Sequence, residues 1–446
     1  MRWRHYHQYK PSGVEWLGEV PENWHIIRLK YTSSLNDEVL SEGTDPDYEI
    51  QYVDISSVDA SEGIKKKEIM RFEEAPSRAR RRVRDGDVII STVRTYLRAI
   101  APIHNPEENL IVSTGFAVVR PIKGVNSHFV AYALRAPYFV EAVVARSVGV
   151  SYPAVNASEI GDLKIALPTD SEQSAITAFL DRETARIDAL MEKKQRQIEL
   201  LQEKRAALIS HAVTKGLDPS APLKDSGVEW LGQIPANWEI KKLKYLVEGG
   251  LINGLFKKKE FFGSGIKLVN VFDVYRRNFL IDHTSLDRVE ADKVEQSKYA
   301  VRSGDIFFVR SSLKLEGVGR SVCALEIEEP TVFECHVVRG RPIQPKISPK
   351  FLIHFLNSTY AINRFISLAN LVTMATIDQD KIKSLEVPLP PRDEQDKIMA
   401  FLERETETME KLEKSITKSI EKLKEHRTAL ISAAVTGKID VREAAA

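Results

Sequence analysis

Two short runs carry side chains suited to gripping a polar, anionic surface. They are Thr92, Arg94, Tyr96 and Arg98 in STVRTYLR, and Arg310, Ser311, Ser312 and Lys314 in VRSSLKLEGVGR. Each follows an apolar stretch of strand character (88–93; 306–309) entered from Gly86-Asp87 or Gly304-Asp305. Guanidinium, ammonium and hydroxyl groups donate to phosphate oxygens and to base edges. A second set follows in each half: Ser151, Tyr152 and Asn156, then Thr373 and Thr376, in loops ahead of a proline-bearing stretch. Further basic runs are Lys65, Lys66 and Lys67; Arg78, Arg80, Arg81, Arg82 and Arg84; and Lys257, Lys258 and Lys259. On spacing alone such runs equally describe solvated faces, and each hydroxyl or amide can equally satisfy its own loop backbone.

Enzymatic constellations are missing. There is no G-x-x-x-x-G-K-[ST] phosphate loop, no Gly-rich dinucleotide fingerprint, no H-E-x-x-H and no G-x-S-x-G elbow. The Gly-Asp pairs read as turns entering strands, and His5 with His7 as a terminus rather than a metal site; no metal is expected. Cys323 and Cys335 are the only cysteines, too few for a disulfide scaffold, and they fit a reducing cytosol. The net charge is +1, from 64 Lys+Arg against 63 Asp+Glu, so any attraction for nucleic acid must be local. No stretch approaches the ~18 apolar residues of a membrane span. At ~150 residues per domain, 446 residues imply two to four domains, and a cytoplasmic protein is expected.

What positions the polar runs is a repeat. SGVEWLGEVPENWHIIRLKY from Ser12 returns as SGVEWLGQIPANWEIKKLKY from Ser226, a shift of 214 (226 less 12). YVDISSV meets LVNVFDV at 216 (268 less 52), and VRDGD meets VRSGD at 218 (301 less 83). EQSAITAFLDRET from Glu172 meets EQDKIMAFLERET from Glu394 at 222 (394 less 172). Order is preserved while small insertions accumulate, so one unit is written twice. The period is far beyond the ~20–50 residues of a solenoid. A duplicated unit implies a pseudo-two-fold molecule that recognises something with two halves. The inserts between the copied segments differ widely: two similar frames hold two different readers.

The frame includes two heptad-patterned segments. Leu180, Ile187, Lys194, Leu201 and Leu208 recur every seven residues in the first, Leu402, Met409, Ile416, Leu423 and Leu430 in the second. The pattern predicts long helices, from Ser171 and Asp393 as N-caps to Gly216 and Gly437. At ~40 residues each would span roughly 60 Å. The two seams are expected to pair as an antiparallel coiled coil. Each insert predicts a mixed α/β domain with strands at 50–55, 88–93 and 116–119, or 267–271, 306–309 and 336–339. A helical stretch follows in each, at 127–146 or 349–368.

Two variable inserts, each preceded by SGVEWLG-x-x-P-x-x-W and closed by a P-x-x-x-E-Q-headed helix ending in ALIS-x-AVT, resemble the specificity subunit of type I restriction-modification systems. The motif residues are Pro168, Glu172 and Gln173, then Pro390, Glu394 and Gln395. The resemblance implies an α+β chain. It holds two mixed α/β target recognition domains (25–168 and 239–390) and two conserved helices (169–217 and 391–440). An N-terminal conserved segment (1–24), its repeat with a linker (218–238) and a tail (441–446) complete it. It further implies a non-catalytic subunit whose domains each read half of a bipartite DNA site. The helices set the spacer and dock partners. Those partners are double-stranded DNA, two modification (methyltransferase) subunits and restriction (endonuclease/translocase) subunits. S-adenosylmethionine, ATP and Mg are expected on the partners and no cofactor on this chain. Base-reading residues differ between members, so the resemblance assigns none. Two rival readings stand: a stand-alone bipartite DNA-binding regulator, and a coiled-coil protein-interaction scaffold.

Overall fold

The computed structural model describes residues 3–59, 63–371 and 373–443. The chain forms two compact units: Met1–Gln195 with Thr417–Ala446, and Arg196–Ile416. Both are α+β, and each contains part of both long helices, Asp170–Lys215 and Arg392–Val435.

The first unit builds an antiparallel sheet in the order Ile100–Pro102, Val88–Ser91, Phe116–Pro121, Ser33–Leu35. Its central strands read VIIS and FAVV, with every residue buried, as expected for strands covered on both faces. A second sheet runs Glu68–Arg71, Glu49–Val53, Leu110–Ser113, Ala79–Arg82, and its middle pair is parallel. The second unit repeats the first sheet as Val247–Asn253, Val337–Pro342, Ile306–Val309, Ser321–Cys323. Its other sheet again holds a parallel pair, Lys267 to Val269 against Thr331 to Phe333.

Each Gly-Asp pair is indeed a turn before a strand, with Gly86 and Gly304 at positive φ. The aspartate does more than turn the chain. Buried Asp87 accepts the Arg84 N–H at 2.7 Å and receives Arg120 Nε and Nη2 at 2.9 and 2.8 Å. Asp305 repeats this with Arg302 N (2.8 Å) and Arg341 (2.7 and 2.9 Å). The forked guanidinium matches the carboxylate in two parallel bonds, which makes each pair a fixed internal strut.

The helical stretch expected at 127–146 is two helices, Ser127–Arg135 and Pro137–Arg146. Pro137 has no N–H to donate and forces Ala136 out of the helical region, to ψ 141°. Its counterpart also divides, into Pro349–Leu356 and Thr359–Leu368, because Ser358 caps the second piece by accepting from Ala361 N. The long helices start two residues earlier than expected. Thr169, not Ser171, closes the capping box with Glu172: Glu172 N donates to Thr169 Oγ1 at 3.4 Å and Thr169 N to Glu172 Oε2 at 3.3 Å. In the second copy the helix begins at Arg392 behind Pro391, and Asp393 lies inside its first turn. Both helices end before a glycine at positive φ, Gly216 (76°) and Gly437 (69°).

Leu180, Ile187, Leu402, Met409, Ile416 and Leu430 are buried; Lys194, Leu201, Leu208 and Leu423 are half-buried. In the first unit Arg427 donates to Asp188 at 2.9 and 3.2 Å. In the second, Arg205 pairs Glu410 (3.0 Å) and Gln202 donates to Glu413 (2.9 Å). Partner numbers fall on one helix as they rise on the other.

The copied EQ motif has a structural cause. Glu172 accepts from Asn23 Nδ2 (3.0 Å) and the fully buried Trp24 Nε1 (3.4 Å); Glu394 does the same for Asn237 (3.0 Å) and Trp238 (2.9 Å). Gln173 donates to Pro168 O and accepts from Asn126 N; Gln395 donates to Pro390 O and accepts from Ser348 N. Each copied helix head therefore ties the W segment, the proline stretch and the reader's helix into one body.

Candidate nucleic-acid interface

The sequence offered two separate candidate surfaces in each half. They form one. In the first unit the strand Val88–Ser91 leads into the 92–98 loop, which is laced to the later loop: Arg94 N donates to Pro153 O at 2.8 Å and Val155 N to Thr92 O at 2.9 Å. Arg94 then lies 5.1 Å over the ring of Tyr152, which is 66% exposed. Arg94 and Arg98 both take φ of 52°, a left-handed conformation unusual for arginine that turns the loop sharply. In the second unit Ser311–Ser312 pairs with Ala375–Thr376, Ser311 opposite Thr376, and a hairpin continues through the exposed Thr373 to Asn370–Leu371.

The individual side chains divide into two groups. Thr92 Oγ1 donates to Gly115 O (2.8 Å) and so serves the backbone, while Asn156 heads the short helix Ala157–Gly161, its N–H donating to Glu159 Oε2 at 2.8 Å. Arg98 is bound to Glu141 at 2.6 Å. By contrast Arg94, Arg310 and Lys314 are exposed and form no ion pair among the described residues. Tyr96 and Ser151 are exposed beside Arg94 in the same loop pair. In the other basic runs some members are neutralised: Arg78 by Asp54 and the Tyr52 hydroxyl, Arg84 by Glu38, Lys66 by Glu68, Lys257 by Glu295.

The second unit adds a cavity of about 1050 Å³ that the sequence did not announce. Ser311, Ser312, Lys314, His336, Tyr275 and Arg277 are among its lining residues. His336 Nδ1 shares a hydrogen with Ser311 Oγ at 2.9 Å. Phe272, 82% exposed, stands at its wall. One long helix also lines it through Gln202 and Arg205. Arg277 reaches Glu413 on the other at 2.9 Å, and Arg205 donates to Arg277 O at 3.3 Å. His336 and Tyr275 were missed because they lie 22 or more residues from the polar run; Arg277, in the YRRN cluster, was legible only as one of the second insert's basic residues.

Glu334, Cys335 and His336 bring possible metal-ligand atoms within 4.8 Å. The Glu334 carboxylate is already engaged by His336 N at 2.9 Å, which makes this a hydrogen-bonded turn. Burial, with the Glu334 charge, pushes the Cys335 thiol up, away from the thiolate a metal needs. No helix among the described residues is long and apolar enough to cross a membrane.

The family model "Type I restriction modification DNA specificity domain" matches residues 79–200 and 235–422. The MjaVIII type I restriction enzyme specificity subunit of Methanocaldococcus jannaschii is 24% identical over 95% of this chain and 94% of that protein. The StySPI specificity subunit of Salmonella potsdam is 22% identical over 72% and 67%. Among solved structures, a chain from work on complex assembly and conformational transition of the type I R-M system superposes with a TM-score of 0.65. It is 23% identical, over 93% of this chain and 98% of that one. The HsdS subunit from Thermoanaerobacter tengcongensis gives 0.51 at 22% identity, over 94% and 98%. With a family model covering well over half its length, the chain belongs to the type I restriction-modification specificity subunits.

Proposed function

We propose that this chain is the DNA-reading subunit of a type I restriction-modification complex, itself non-catalytic. The recognition domains at 25–168 and 239–390 each read one half of a bipartite site. The observation that carries this is the joined loop surface in each reader. Arg94 in one, and Arg310 and Lys314 in the other, are exposed, without an ion pair among the described residues, beside hydroxyls and aromatic rings. That is the donor set for phosphates and base edges. The long helices pair antiparallel as a coiled coil. The opposite run of their contacts supports this, and continuous helices of 46 and 44 residues suit the setting of a spacer. Two modification subunits using S-adenosylmethionine, and restriction subunits using ATP and Mg, supply the chemistry.

A chain of net charge +1 exerts little long-range attraction on phosphates, so alone it should hold its site weakly. Specific affinity for a duplex carrying the site, at fixed salt, is expected to rise by at least tenfold when the modification subunit is added. Equal affinity with and without it would favour a self-sufficient DNA-binding regulator.

A further inference from the structure

Two strongly exposed apolar side chains of the second unit stand at one cavity. Phe272 (82% exposed) and Leu313 (85%) both line the space that Ser311, Lys314 and His336 also line. Phe256 and Val294 are largely exposed as well, but they do not line it. Neither Phe272 nor Leu313 fills the core, and each is held out by its own turn. The 3-10 turn Val271–Val274 is anchored by buried Val274 and closed where Asn270 N donates to Asp273 Oδ2 at 2.8 Å, which leaves Phe272 on its outside. Ser312 Oγ accepts from Lys314 N at 3.2 Å, a side-chain turn with Leu313 at its bend.

The first reader is built differently at both places. Through the 216-residue shift Phe272 corresponds to Ser56, exposed on the equivalent turn Ile55–Ser57. The run from the central strand to the next 3-10 turn is 310–314 in the second unit but only 92–94 in the first, so Leu313 lies in added length. A partner met alike by both copies would be met by like residues. Side chains that belong to one reader alone suit what differs between the two half-sites, which is the base sequence.

An apolar pair set among a hydroxyl, an imidazole and an ammonium fits a surface that is polar and anionic but carries an isolated apolar group. The base edges in the major groove of DNA present one such group, the C5-methyl of thymine, and apolar side chains are what contact it. We infer that Phe272 and Leu313 read a thymine methyl in the half-site of the second unit, beside polar contacts from Ser311 and Lys314. This rests on the reading of the chain as a specificity subunit, and it gives one of its two readers a chemical preference.

The test uses the complete complex of this chain with its modification subunits, on the duplex site that its methylome defines. The second unit's half-site is the one left unchanged when residues 32–165 are exchanged for those of a relative. Each thymine in it, on either strand, is replaced singly by deoxyuridine, which removes only the methyl. At one position the wild-type complex should bind the uracil duplex about fourfold more weakly, the worth of one buried methyl. Phe272→Ala with Leu313→Ala should bind the thymine and uracil duplexes alike, with its melting temperature unchanged because both side chains are exposed. A half-site without thymine on either strand overturns the inference. So does a wild-type complex indifferent to every substitution, or a variant that keeps the discrimination. A variant that sheds modification subunits in native mass spectrometry overturns it too, since the pair would then serve a protein partner. A wild-type complex that binds its site no better than random duplex would instead sink the specificity-subunit reading itself.

Discussion

The two units are the same machine with different fingers. Trp24 and Trp238, Glu172 and Glu394, Asp87 with Arg120 and Asp305 with Arg341 hold matching positions by matching bonds. Even the interhelical pair is copied: Arg205–Glu410 in one unit corresponds to Arg427–Asp188 in the other through the 222-residue shift. Beside it the copies part. Gln202 and Glu413 are joined and recruit Arg277, whereas their counterparts are Lys424 and Met191, which cannot form that link. Reader loops diverge further, with an arginine laid on a tyrosine in one and a lined cavity in the other. The bonds that tie each helix head and each Gly-Asp turn into the frame repeat, while the contacts next to the reader loops vary.

The largest expected effect sits in the frame. Trp24→Ala and Trp238→Ala each remove a fully buried indole and should cost about 3–5 kcal/mol in urea unfolding. Similar losses are expected because the surroundings match. A trivial loss at one of them would break the equivalence of the frames.

Next come the reader loops. Arg94→Ala should relax only the half-site read by the first unit, and Arg310→Ala with Lys314→Ala only the other. Each free cation is worth about 1–3 kcal/mol if it meets a base, or about 0.9 of the log–log salt slope if it meets a phosphate. Binding of the complete complex to duplexes altered in one half-site measures this. Equal effects on both halves from either variant would contradict separate readers.

These loops show what a sequence conceals. The repeat, the long helices, the Gly-Asp turns and the glycine helix ends were all legible, because each depends on neighbours a few residues away or on a copy elsewhere. Pro137 was visible too, yet its helix break was read through. The union of the 92–98 and 151–156 loops was hidden, since Arg94 N finds Pro153 O across a separation that no local pattern encodes. Hidden too were the local bonds of two candidate base readers: Thr92 Oγ1 donates to Gly115 O, and Asn156 N donates to Glu159 Oε2 at the head of a short helix.

A smaller effect should sharpen the contrast beside the helices. Arg205→Ala and Arg427→Ala break copied pairs with little-exposed guanidinium groups and should cost similar amounts, about 1–3 kcal/mol each. Arg277→Ala removes a largely exposed pair with no copy and should cost under about 1 kcal/mol, also by urea unfolding. A larger loss at Arg277 than at Arg205 would make the unshared contact the main hold on the second reader.

The smallest effect is a pH dependence contributed by the second unit's helix Pro349–Leu356. Burial lowers the affinity of His354 for a proton; its Nδ1 lies 2.8 Å from Lys350 O, and Arg205 opposes its charging further. The neutral ring is the folded form, so the unfolded chain binds more protons once pH falls below the ordinary histidine value of about 6.5. This contribution to stability is complete above that pH and declines below it. His354→Gln should flatten the fall in melting temperature between about pH 7 and pH 5.5. An unchanged slope would place the acid sensitivity elsewhere.

The central claim, two independent readers on one copied frame, is tested most directly by methylome sequencing of a hybrid. In it residues 32–165 are exchanged for the corresponding segment of a related specificity subunit, leaving the frame and the second reader intact. The account predicts a methylated bipartite site in which one half is new, the other half is unchanged and the spacer is kept. A hybrid that alters both halves at once, or neither, would contradict it.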